Sequence, residues 1–114
     1  MPFIHTRTTK EITPDMQKTL TAELGRAITL LPGKSEQWLM LGFEGNATMA
    51  FRGELRDDLV FIEVKLLGAA TREAYDRLTA ALCEIYHRTL GVPTDGIYIE
   101  YVEAKTWGHD GYNF

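Results

Sequence analysis

Residues 59–101, LVFIEVKLLGAATREAYDRLTAALCEIYHRTLGVPTDGIYIEY, read as strand, helix, strand. Leu59-Val60-Phe61-Ile62-Glu63-Val64 is rich in β-branched and aromatic side chains, which suit a pleated, half-buried surface. From about Thr71 to Leu90 the apolar residues Ala74, Leu78, Leu82 and Ile85 recur at helical spacing and make one stripe. Gly91-Val92-Pro93 stops that helix, because proline cannot continue it and glycine tolerates the left-handed cap. Ile97-Tyr98-Ile99-Glu100-Tyr101 then alternates as a closing strand, with Tyr98 facing away from Ile97 and Ile99.

The first half repeats the plan. Residues 2–8 alternate and are rich in strand formers. Thr13-Pro14 opens a helix with a capping hydroxyl followed by proline at the first helical position. Met16, Leu20, Leu24, Ile28 and Leu31 form its apolar stripe, and Pro32-Gly33 ends it. Residues 38–44 (WLMLGFE) form a nearly continuous apolar strand, expected to be buried on both faces. Gly45-Asn46 is a turn signal, and Thr48-Met49-Ala50-Phe51 is expected as a short strand after it. Two β-α-β units imply an α+β domain, with a four-stranded sheet and both helices on one face. No third helix covers the other face, so a symmetric oligomer is expected.

Composition narrows the function classes. The chain has 114 residues, 45% hydrophobic and 25% charged, which fits one globular domain over residues 1–114. A net charge of −4 argues against nucleic acid as a partner. No apolar run has the length of a membrane span, and the N-terminus lacks the pattern of a signal peptide. The expected location is therefore cytoplasmic, with export by a route that needs no signal as the alternative. A single cysteine, Cys83, rules out an intramolecular disulfide and any CxxC motif. It falls in the helical stripe and is expected to be a buried structural thiol.

The chemistry-bearing residues are few. His5, His87 and His109 lie far apart in sequence without metal-ligand spacing, so no metal is expected. No GxGxxG, P-loop or nucleophile elbow is present, and no cofactor is expected. Gly33-Lys34-Ser35 resembles a P-loop tail, but Ile28 stands where its first glycine belongs. Met1-Pro2 is a different kind of signal. Trimming of the initiator methionine leaves Pro2 as a secondary amine, and an α-amino group titrates at about 7.7–8.0, which suits a general base at neutral pH. Many chains begin Met-Pro without such a role. Lys34, just past the first helix, reads either as a cation for an anionic ligand or as a helix-terminal lysine facing the dipole. The tail, Trp107-Gly108-His109-Asp110-Gly111-Tyr112-Asn113-Phe114, holds three aromatics in eight residues and is expected to pack on a neighbour or line a pocket.

A collinear series of segments carries a resemblance. MPFI, GKSEQWLM, TMAFRG, IEVKLLG, LGVPTDGIYIEY and WGHDGYNF together resemble the macrophage migration inhibitory factor family of the tautomerase superfamily. The resemblance implies a homotrimer of β-α-β-β-α-β protomers, with active sites at subunit interfaces. It implies keto–enol tautomerisation of a phenylpyruvate-type 2-oxo acid. Pro2 matches the catalytic base, and Lys34 matches the lysine that binds the substrate carboxylate. Leu67 falls where the family has an isoleucine whose backbone amide helps hold that carboxylate. Tyr98 matches a pocket tyrosine from the neighbouring subunit, Trp38 an aromatic position near the pocket, and Phe114 the C-terminal phenylalanine.

The sequence also departs from the family. Glu100 stands where many relatives have asparagine at the far end of the pocket, and an ionised glutamate only accepts hydrogen bonds. His109 replaces a frequent tryptophan and adds a titratable group. Ala69-Ala70-Thr71 replaces a glycine pair, and the family's CxxC has no counterpart. The resemblance leaves two alternatives. One is a signalling or binding protein with vestigial catalysis, acting on a receptor if secreted. The other is decarboxylation or hydration of a small unsaturated acid, for which Arg52, Arg56 and Arg72 are the available cations.

Overall fold

The computed structural model describes all 114 residues. Strand β1 (Pro2–Thr8) leads to helix α1 (Pro14–Ala27), which continues as a 3₁₀ turn over Ile28–Leu30. After a second 3₁₀ turn, Glu36–Trp38, come β2 (Met40–Glu44), β3 (Met49–Phe51) and β4 (Glu54–Arg56). The second unit is β5 (Val60–Leu67), α2 (Arg72–Leu90) and β6 (Ile97–Ala104), and the tail forms β7 (Gly108–His109) and β8 (Tyr112–Asn113).

The four-stranded sheet has the order β2-β1-β5-β6, with β1 parallel to β2, antiparallel to β5, and β5 parallel to β6. Alternation sorts its two faces. Ile4, Ile62, Val64 and Leu66 point to one side and are buried beneath Leu20, Leu24, Leu78 and Leu82 of the helices. Thr13 Oγ1 accepts from the Met16 amide and Thr71 Oγ1 from the Ala74 amide, so both helices begin on a side-chain cap. Gly91, at φ 72°, closes α2 with its amide donating to the His87 carbonyl. The buried Thr6 and Tyr86 hydroxyls hydrogen-bond to each other and pin α2 onto β1.

Two expectations change, the double-sided burial of 38–44 and the full burial of Cys83. The segment 38–44 is not buried on both faces. β2 is an edge strand, and Met40 is 68% exposed, because only β1 pairs with it and the helices cover one side. Its first residues, Glu36–Trp38, wind into a 3₁₀ turn closed by the Leu39 amide donating to the Glu36 carbonyl. The short strand expected at Thr48-Met49-Ala50-Phe51 forms as β3 and pairs with β4 in a hairpin reversed through Arg52 and Gly53 at φ 54° and 81°. The outer face of the sheet is mixed rather than apolar. There His5 bridges Glu44 at 2.7 Å and Glu63 at 3.4 Å, Arg7 reaches Glu44, and Lys65 lies 3.8 Å from Glu63. Cys83 is only partly buried, though it packs against the core, and burial raises its pKa.

Candidate active site

Pro2 is the first residue of β1, opposite Leu66 in the antiparallel ladder, and it is buried. The ladder thus places the N-terminal amine beside the C-terminal end of β5. Beyond Pro2, the Met1 carbonyl accepts a hydrogen bond from the Leu67 amide at 3.3 Å. The Leu67 carbonyl accepts from Lys34 Nζ at 2.8 Å. Lys34 reaches it because Pro32-Gly33 reverses the chain after α1, with Gly33 at φ 79° and the Lys34 amide donating to the Leu31 carbonyl. Pro2, Lys34 and Leu67 therefore converge, although 33 residues separate the last two.

The electrostatics of this end shift the chain's α-amine toward its neutral form. The α-amine of Met1, one residue before Pro2, is held below its ordinary value, first by partial burial and then by the positive charge and hydrogen bonding of Lys34. The Lys34 ammonium, the Leu67 peptide and the chain's α-amine thus lie together at this end of the sheet.

A second cluster lies at the same end of the sheet. The tail folds back on itself, with the Phe114 amide donating to the Trp107 carbonyl at 2.7 Å around an Asp110-Gly111 turn. The His109 ring meets Trp38 edge-on at 5.4 Å between centroids and lies 6.4 Å from Phe114. Because β6 leaves the sheet beside Leu67 while Trp38 precedes β2, the tail crosses the Pro2 end from one sheet edge to the other. Within the chain the tail touches Trp38 through His109, while Tyr112 and Phe114 stay 74% and 56% exposed.

Tyr98 and Glu100 do not join these clusters. Tyr98 pairs with Phe61, five residues along β5 from the partner of Pro2, or roughly 16 Å at strand rise. It is 58% exposed, and its ring packs edge-on against Phe51 at 5.3 Å. Beside it lies an apolar cavity of about 130 Å³ lined by Met49, Phe51, Leu59, Phe61 and Asp95 among others. Glu100 is exposed on the outer face, opposite Glu63. The arginines stay apart from Pro2. Arg52 lies over the Phe51 ring at 4.8 Å, Arg56 is held by Asp58 at 2.8 and 3.1 Å, and Arg72 pairs with Asp76 one helical turn away. No group of three or more His, Cys, Asp or Glu side chains is placed to hold a metal ion.

Sequence reading missed the support behind Leu67. The Ala70 amide donates to Tyr75 Oη at 3.2 Å, and Tyr75 Oη donates to Glu103 at 2.5 Å. These partners span α2 and β6, and no local spacing announces them.

A family model described as macrophage migration inhibitory factor (MIF) matches residues 1–113. No curated protein matches the chain in sequence. Among solved structures, macrophage migration inhibitory factor from Toxoplasma gondii is 27% identical with a TM-score of 0.88, over 98% of this chain and 99% of that one. Leishmania major MIF2 is 23% identical with a TM-score of 0.92, over 100% of this chain and 97% of that one. A wild-type fused 4-OT described as an asymmetric trimer shares the fold at 16% identity and a TM-score of 0.82, over 96% of this chain and 94% of that one.

Proposed function

The chain belongs to the macrophage migration inhibitory factor family, and from that premise we propose that it is a keto–enol tautomerase of phenylpyruvate-type 2-oxo acids, working as a cytoplasmic homotrimer. The observation that carries this reading is the convergence of Pro2, Lys34 and the Leu67 amide at one end of the sheet, where the Met1 α-amine that precedes Pro2 is held below its ordinary pKa by burial and by Lys34.

With Met1 removed, Pro2 is a secondary amine beside a Leu67 amide that no longer has the Met1 carbonyl as partner. The substrate carboxylate takes the Lys34 ammonium and the Leu67 N–H, which orients the carbon next to the ketone toward Pro2. Neutral Pro2 takes a proton from that carbon, and the electron pair of the C–H bond moves to give the enolate. Lys34 lowers the energy of that developing charge, and the proton is delivered to oxygen to give the enol. The reverse reaction uses the same groups. Trp38 and Phe114 give the ring an apolar wall, with His109 between them. Tyr98 and Glu100 act on a neighbour's site, since they stand far from Pro2 in their own chain.

The decisive experiment is an ultraviolet assay of phenylpyruvate enol–keto conversion on protein whose N-terminus is verified by mass spectrometry. Conversion that requires a free Pro2 terminus is the expected result. No conversion by protein with a verified free Pro2 overturns the reading in favour of a binding role, with Glu100 as the first residue to replace.

A further inference from the structure

The anion subsite depends on one backbone N–H, that of Leu67, at the last position of β5. After it the chain turns at Gly68, φ 86°, and runs without regular structure to the cap of α2 at Thr71. Two contacts fix the direction of this turn. The Gly68 amide donates to the Ala104 carbonyl at 2.9 Å, which is a backbone contact independent of side-chain identity. The other runs through side chains. The Ala70 amide donates to Tyr75 Oη at 3.2 Å, and Tyr75 Oη donates to the Glu103 carboxylate at 2.5 Å.

That relay has a defined polarity. An ionised carboxylate only accepts, so the phenol proton points at Glu103 and leaves an oxygen lone pair for the Ala70 N–H. Hydrogen bonds to a charged acceptor are short and strong, and chained bonds polarise one another. Burial, with help from Glu103, pushes the Tyr75 phenol up to about 12, so it stays a donor throughout the physiological range. The ring is separately fixed by packing on Tyr101 at 4.4 Å between centroids, and Tyr101 Oη bonds Thr79 Oγ1 at 2.8 Å. Removing only the Tyr75 hydroxyl therefore leaves the ring in place and frees the loop at Ala70.

We propose that Tyr75 and Glu103 are positioning residues that set the direction of the Leu67 N–H, and with it the affinity of the site for a substrate carboxylate. This rests on the tautomerase reading above. Neither residue touches the substrate. Their effect passes through three residues of backbone, from Ala70 back to Leu67.

The test uses full-length protein with a verified Pro2 terminus, as wild type, Tyr75→Phe and Glu103→Gln. Each is assayed on phenylpyruvate and on its methyl ester, which keeps the acidic C–H and lacks the anion. The Leu67 amide is also followed by ¹⁵N NMR during a phenylpyruvate titration. Tyr75→Phe is expected to raise KM for the acid roughly three- to ten-fold with kcat nearly unchanged, and to leave the ester unaffected. Glu103→Gln keeps an acceptor for the phenol and is expected to fall between Tyr75→Phe and wild type. Equal losses on acid and ester, or an unchanged KM for the acid, overturn the proposal. A wild type that turns over neither compound defeats the tautomerase reading instead. The proposal then stands if phenylpyruvate shifts the wild-type Leu67 amide at lower concentration than it shifts that of Tyr75→Phe, and falls if it does not.

Discussion

Lys34 acts in two ways that respond differently to mutation. Its Nζ donates to the Leu67 carbonyl, and its charge lowers the pKa of the terminal amine. In the proposed mechanism a Pro2 terminus takes the place of the Met1 amine beside Lys34 and must be neutral, so the rate is expected to rise as pH climbs through its pKa. A lowered pKa places that rise at more acidic pH than an ordinary α-amino group would. Lys34→Ala removes one cause of the lowering and leaves burial, so the acidic limb of the pH–kcat/KM profile is expected to move toward higher pH. KM for the acid is expected to rise as well, because a ground-state contact to the carboxylate is lost. An acidic limb that stays in place shows that burial alone sets the base. Pro2→Ala offers a primary amine in place of the secondary one and is expected to lose most of kcat. At this scale Pro2 and Lys34 were legible because each sits at sequence punctuation, a chain start and a Pro-Gly helix stop. Leu67 was reached only through resemblance, because its role lies in a backbone N–H that looks the same for any side chain. Tyr75 and Glu103 were not legible at all, since 28 residues separate the two.

Strands and helices fared by how loudly their ends are marked. Both helices were legible from caps and stripes, and β1, β5 and β6 from alternation. Of the β3–β4 hairpin only β3 was legible, from Thr48-Met49-Ala50-Phe51 after the Gly45-Asn46 turn. Its strands have three residues each, and its turn puts Arg52 in the left-handed region, where sequence habit expects asparagine or glycine. The tail hairpin carries a plain Asp110-Gly111 turn signal, yet an aromatic tail invites a reading of packing before one of pairing. Two glycines separate conformation from space. Gly91 caps α2 at φ 72° with nothing within 4 Å of an added Cβ, so Gly91→Ala is expected to cost about 1–2 kcal/mol from backbone strain alone. Gly96, buried before β6, would put a Cβ 2.6 Å from the Asp58 carbonyl oxygen. Backbone must move there, and Gly96→Ala is expected to cost about 1–3 kcal/mol. Urea unfolding tests both, and the Gly96 variant should also blunt the Phe51–Tyr98 end of the sheet, which Gly96 borders.

For the whole molecule, the expectation of an oligomer came from an uncovered sheet face, and the structure replaces that argument with a better one. The outer face mixes the His5, Glu44, Glu63, Arg7 and Lys65 charges with the exposed apolar side chains of Met40, Tyr98 and Val102, so an uncovered apolar sheet is not by itself the reason to assemble. On the proposed function, what the single chain lacks is a complete site. Pro2, Lys34 and Leu67 stand at one end of β5, and Tyr98 with Phe51 at the other, roughly 16 Å away. One end of a protomer meeting the other end of its neighbour is a heterologous contact, and such contacts close only as rings. Three copies is the ring size the family resemblance implies, and native mass spectrometry should find three times 12.9 kDa. The sharper test is complementation. Lys34→Ala and Tyr98→Ala proteins each lack one half of every site and should be weakly active alone. Refolded together at equal amounts, they should form mixed rings in which about a quarter of the sites join an intact Lys34 half to an intact Tyr98 half. Activity of the mixture rising toward a quarter of wild type supports a site shared between chains. A mixture no better than the average of its parents confines the site to one chain and leaves Tyr98 a structural side chain beside Phe51.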